Sequence, residues 1–68
     1  MKTLTGTIVE LTERSSGFIK IVGVKEPLFF HSDDLVKIAF ANLKKGDKLM
    51  FSIVESNKGP YAIDVSKK

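Results

Sequence analysis

Apolar and polar positions alternate along this chain in short blocks, and polar or glycine-containing pieces separate the blocks. Thr7-Ile8-Val9-Glu10-Leu11 predicts a first strand, and Thr12-Glu13-Arg14-Ser15 a polar turn after it. Gly17-Phe18-Ile19-Lys20-Ile21-Val22 predicts a second strand, closed by a turn from Gly23 to Pro27. Leu28-Phe29-Phe30-His31 is a third, short one. Lys48 to Glu55 alternates strongly enough to bury one face of a fourth strand. Ser56-Asn57-Lys58-Gly59-Pro60 is a hairpin signal, and Tyr61-Ala62-Ile63-Asp64-Val65 completes the set. Between the third and fourth strands the pattern changes. Ser32-Asp33-Asp34-Leu35 carries an N-cap residue and two acids, which predicts one helical turn followed by a long loop.

Five short strands at this spacing fit a sandwich or a closed barrel. Three strands, an irregular crossing and two more strands is the order of the five-stranded antiparallel OB barrel, a partly open Greek key. The expected architecture is therefore an all-β OB-fold barrel with a short helical turn between strands three and four. Ile8, Ile19, Ile21, Phe30, Leu49, Phe51, Ile53 and Val65 are the expected core, with a bulge in strand one as an allowed complication. The 68 residues permit one domain. It is read as residues 1–66, with Lys67-Lys68 as a basic tail. Cysteine is absent, so disulfides, thiol nucleophiles and zinc-thiolate sites are excluded together. No apolar run approaches the roughly 20 residues of a membrane-spanning helix. Met1-Lys2 leads into Thr3-Leu4-Thr5-Gly6 with no apolar signal core. These features predict a cytoplasmic protein, by default a monomer, with no membrane partner.

Candidate chemistry narrows quickly. His31 is the only histidine, and one imidazole without a thiol assembles no nucleophilic triad. Asp33 and Asp34 are adjacent and read as charge compensation at the start of the helical turn. Lys45-Gly46-Asp47 is a turn, not a phosphate loop. No catalytic activity, metal or cofactor is expected. Binding is better supported. Eleven basic residues against eight acidic ones give a net charge of +3, which favours polyanionic partners. Residues two apart on a strand share a face. Phe18 therefore stands beside Lys20, and Phe29 beside His31, while Ile19 and Phe30 point to the opposite side. Rings next to cations on two paired strands make a base-stacking platform with phosphate neutralisation attached.

The chain resembles the cold-shock domain family, whose second and third strands read close to K-G-F-G-F-I and V-F-V-H-F. The corresponding segments are Arg14-Ser15-Ser16-Gly17-Phe18-Ile19 and Leu28-Phe29-Phe30-His31-Ser32. The similarity continues through Leu35, Phe40, Leu43, Gly46, Leu49 and Phe51 to Lys58-Gly59-Pro60, Ala62 and Val65. It requires a one-residue shortening near residues 12–15 and a one-residue insertion near 22–26. The resemblance implies a barrel that binds single-stranded RNA or DNA with low sequence specificity, in the manner of an RNA chaperone. It implies stacking on Phe18, Phe29, His31 and Phe40, with Lys20, Lys58 and Arg14 near the backbone and Tyr61 extending the platform. Three family rings are replaced, by Glu10, Ser16 and Ser32, so binding is expected to be weaker than in relatives with the full platform. The alternative is a barrel that has lost nucleic acid and recognises a protein through Phe29, Phe40 and Tyr61.

Overall fold

The computed structural model describes residues 3–68; Met1 and Lys2, with which the expected domain and its non-secretory start begin, lie outside them. Five strands form: β1 (Leu4–Leu11), β2 (Ser16–Lys20), β3 (Leu28–His31), β4 (Lys48–Ser56) and β5 (Gly59–Lys67). They close into a barrel in the order β1-β2-β3-β5-β4. The expected all-β OB-type barrel is present, with one departure from an antiparallel barrel. The pairs β1–β2, β2–β3, β1–β4 and β4–β5 are antiparallel, whereas β3 meets β5 in parallel through Phe29 and Tyr61. The chain crosses from β3 to β4 through two 3₁₀ turns, η1 (Ser32–Asp34) and η2 (Phe40–Asn42).

The interior holds Ile8, Ile19, Leu28, Phe30, Leu43, Leu49, Phe51, Ala62 and Val65, each nearly or fully buried. Leu4, Leu11, Ile21, Leu35, Ile38 and Phe40 pack against it from the ends. Six of the eight expected core residues are therefore interior, Ile21 lies at the margin, and Ile53 is 41% exposed. Ile53 follows the same alternation as Leu49 and Phe51, but the β1–β4 ladder ends at the Leu4–Phe51 pair, so β1 does not flank Ile53. It lines a surface groove with Ile21, Val24 and Pro27. Leu28 and Ala62 complete the interior from β3 and β5, and Leu43 seals it from the crossing.

Two bulges bend the sheet into closure. On β1, Ile8 pairs with Ile19 and Glu10 with Phe18, so Val9 is an extra residue and is exposed. On β5, Asp64 and Val65 together oppose Phe51, with Asp64 at a φ of 50°. That insertion is why Ala62 and Val65, three residues apart, both face inward. Gly17 packs its bare Cα against the core. A Cβ there would lie 2.5 Å from the Glu10 carbonyl oxygen and 2.8 Å from the Phe30 ring. Its glycine requirement is thus set by the interior.

The ends of β2 and β5 differ from the sequence reading. β2 stops at Lys20, because the Val24 N–H donates to the Ile21 carbonyl and turns the chain, leaving Val22 98% exposed. β5 continues through Lys67, which pairs with Leu49, and the Lys68 N–H donates to the Lys48 carbonyl. The expected basic tail is therefore tied to the sheet. No helix among the described residues is long and apolar enough to cross a membrane.

Candidate nucleic-acid interface

Directly opposed residues in a ladder share a face. The registers Glu10–Phe18, Phe18–Phe29, Phe29–Tyr61 and Tyr61–Val54 therefore form one transverse row around the outside of the barrel. Alternation places the row outward, since Ile19, Leu28 and Phe30 occupy the inward positions of β2 and β3. Phe29 is 40% exposed, and Phe18 is half-buried beside it. Their ring centroids are 5.8 Å apart at an interplanar angle of 67°, an edge-to-face pair. Such a pair is worth about 0.5–1.5 kcal/mol beyond area burial, which restrains both rings before any ligand arrives. Lys20, exposed at the end of β2, shares the Phe18 face.

Beside the row lies a groove of about 490 Å³ whose walls include Phe29, Tyr61, His31, Lys58 and Asp34. The β4–β5 hairpin shapes one wall. Ser56 Oγ donates to the Gly59 carbonyl at 2.7 Å and accepts from the Lys58 N–H at 3.2 Å, which stiffens the two-residue turn. Gly59 adopts a φ of 109°, a conformation that suits glycine at the end of that turn. His31 shapes the other wall by capping η1. Its Nδ1 accepts the Asp33 N–H at 3.1 Å, and the Asp33 carboxylate lies 3.5 Å away. The cap is thus His31 rather than Ser32, one residue earlier than the sequence suggests.

Phe18, Lys20, Phe29, His31, Lys58 and Tyr61 are therefore brought onto one side of the barrel, in the row or the groove beside it. Two other candidates are not part of that arrangement. Phe40 opens η2 and packs half-buried against the core, and Arg14 is exposed at the tip of the β1–β2 turn. Ser16, at one of the replaced ring positions, is buried; its hydroxyl shares a 2.6 Å hydrogen bond with that of Thr12. The serine closes the β1–β2 turn instead of presenting a surface. In the sequence Asp34 reads only as helix-end charge, and its place in the groove depends on the crossing bringing η1 beside the distant β4–β5 turn.

Lys48 donates to Thr7 Oγ1 at 2.9 Å, and Lys67 lies 3.7 Å from Asp47. Among the described residues, Lys20, Lys58 and Arg14 have no ion-pair partner, which leaves their charge available to a ligand. No group of three or more His, Asp or Glu side chains that could hold a metal ion occurs among the described residues.

Comparison with known proteins places this geometry among relatives. The family model described as the "'Cold-shock' DNA-binding domain" matches residues 4–68. The cold shock-like protein CspD of Bacillus cereus is 36% identical over 55 residues, covering 81% of this chain and 82% of that protein. A cold shock-like protein of Aquifex aeolicus is 36% identical over 53 residues, covering 78% and 76% of the two chains. In structure, drosophila Unr CSD456 aligns with a TM-score of 0.83 at 25% identity. The match covers 98% of this chain and 27% of that longer one.

Proposed function

This chain belongs to the cold-shock domain family, a nucleic-acid-binding family, and from that premise we propose that it binds single-stranded RNA or DNA with low sequence specificity. Bases stack on Phe18, Phe29, His31 and Tyr61, while Lys20 and Lys58 attract the backbone. Phe40 and Arg14 contribute at the periphery. The observation that carries the reading is the outward edge-to-face pair of Phe18 and Phe29, continued in register by Tyr61 and bordered by unpaired lysines. Stacking is sequence-tolerant because every base has a π-face. Coating unpaired stretches in this way keeps RNA from folding on itself, the action of a chaperone rather than an enzyme.

Affinity is lower than a complete platform would give. Glu10 sits in register beside Phe18 and repels phosphate, and Ser16 is withdrawn into the β1–β2 turn. The test is a titration of the labelled protein with heptathymidylate and heptauridylate at low salt, followed by NMR. Shifts centred on Phe18, Phe29, His31 and Tyr61 are expected. An absence of binding at high micromolar protein, or shifts confined to the opposite side of the barrel, would overturn the proposal.

A further inference from the structure

The groove beside the ring row contains a carboxylate, an unusual lining for a surface that attracts polyanions. Asp34 is half-buried, lines the groove with Phe29, Tyr61, His31 and Lys58, and makes no side-chain hydrogen bond or ion pair among the described residues. Its neighbours are already committed. Ser56 Oγ is occupied within the hairpin, donating to Gly59 and accepting from Lys58. His31 Nδ1 accepts the Asp33 N–H, so the neutral ring carries its proton on Nε2 and has only that donor to offer. The groove therefore presents one unpaired carboxylate, Asp34, together with the Tyr61 hydroxyl and donors from His31 and Lys58, around rings that stack a base.

A carboxylate is acceptor-only and binds best where two donors lie side by side. Among the bases, guanine alone presents that pair on its pairing edge, N1–H next to the N2 amine, with the O6 acceptor beyond. Adenine and cytosine set one amine beside a ring-nitrogen acceptor. Thymine and uracil set a single N–H between two carbonyl oxygens, which a carboxylate repels. A base stacked over Asp34 strips water from it, and only guanine replaces that water fully. Resting on the single-strand binding proposed above, we propose that Asp34 makes this groove a guanine-preferring subsite. Its carboxylate accepts N1–H and the N2 amine, and O6 faces the His31 and Lys58 donors. The remainder of the platform stays indifferent to sequence.

The test compares heptathymidylate with a set in which one guanine is walked along the thymidine run, using the parent protein and Asp34→Asn. For the parent, the best-placed guanine tightens binding about fivefold to tenfold, a discounted value for a half-buried charged hydrogen bond. Replacing that guanine by hypoxanthine, which keeps N1–H and lacks the N2 amine, gives an intermediate affinity. Asp34→Asn brings the guanine advantage close to one while tightening heptathymidylate, because a charge that repels phosphate is gone. A folding defect would weaken both ligands together, so these opposite signs identify the base contact. Equal affinity for the guanine set and heptathymidylate in the parent overturns the subsite and leaves single-strand binding standing. An undiminished guanine advantage in Asp34→Asn does the same. Failure of every oligonucleotide to bind overturns both.

Discussion

Glu10 offers a substitution that should strengthen binding rather than destroy it. It is exposed on β1 and faces Phe18 directly across the ladder, at the end of the ring row. Glu10→Trp would change two things, the charge and the ring, and Glu10→Gln changes only the first. A unit charge about 7 Å from a phosphate through a largely aqueous path alters affinity by roughly threefold at low salt. That effect fades as the screening length falls from about 10 Å at 0.1 M to about 3 Å at 1 M. An added base stack is worth about 1–3 kcal/mol, or roughly fivefold to 150-fold in Kd. The indole would also gain a cross-strand aromatic pair with Phe18, about 0.2–1 kcal/mol of fold stability. Fluorescence anisotropy with heptathymidylate, repeated across a salt series, separates the two parts. Glu10→Gln is expected to bind about threefold tighter at low salt, with the gain shrinking as salt rises. Glu10→Trp should bind at least about tenfold tighter and keep most of that advantage. Equal affinities for the two variants would refute the idea that the row continues onto β1 as a stacking surface.

The remaining predictions use the same folded scaffold. Phe29→Ala should weaken oligonucleotide binding by about 1–3 kcal/mol, and Phe29→Leu, which retains more packing against Phe18, should weaken it nearly as much. Parent-like affinity in Phe29→Ala, with a cooperative thermal transition preserved, would contradict stacking there. With about three or four phosphates neutralised, log K should fall with log salt at a slope of about −2 to −3. A slope near zero would contradict phosphate neutralisation by the protein's cations. Gly17→Ala should destabilise the fold by about 1–3 kcal/mol in urea denaturation, because the added methyl meets the Glu10 carbonyl and the Phe30 ring. An unchanged unfolding midpoint would show that the interior yields there without cost.

Period-two alternation makes the strands and most of the interior legible in the sequence, because each strand buries one face. It placed Phe18 and Phe29 outward and Ile19 and Phe30 inward, as the barrel has them. Alternation alone does not locate the extra residues at Val9 and Asp64, although it allows a bulge in strand one. Ile53 continues the inward pattern of β4, and no local signal marks where the neighbouring strand β1 stops covering it. Propensity points to Ser32 as the cap on η1, whereas a histidine nitrogen performs it. Phe40 reads as part of the stacking set by family position; that its ring is half-buried against the core depends on the path of the whole crossing. Asp34 could not be placed in a groove from sequence, because its neighbours there come from a turn more than twenty residues along the chain.

The parallel junction of β3 with β5 joins the early and late parts of the polypeptide. It is held by the Phe29–Tyr61 register, by the bridge from Leu35 to Val65, and by the Val36 N–H donating to the Val65 carbonyl at 2.7 Å. A nucleotide lying across both rings would act as a suture on that seam. Occupancy and unfolding are then coupled by mass action, with about 2.7 kcal/mol of added stability at a hundredfold excess of ligand over Kd. Under those conditions the cargo becomes a structural member of the container that holds it.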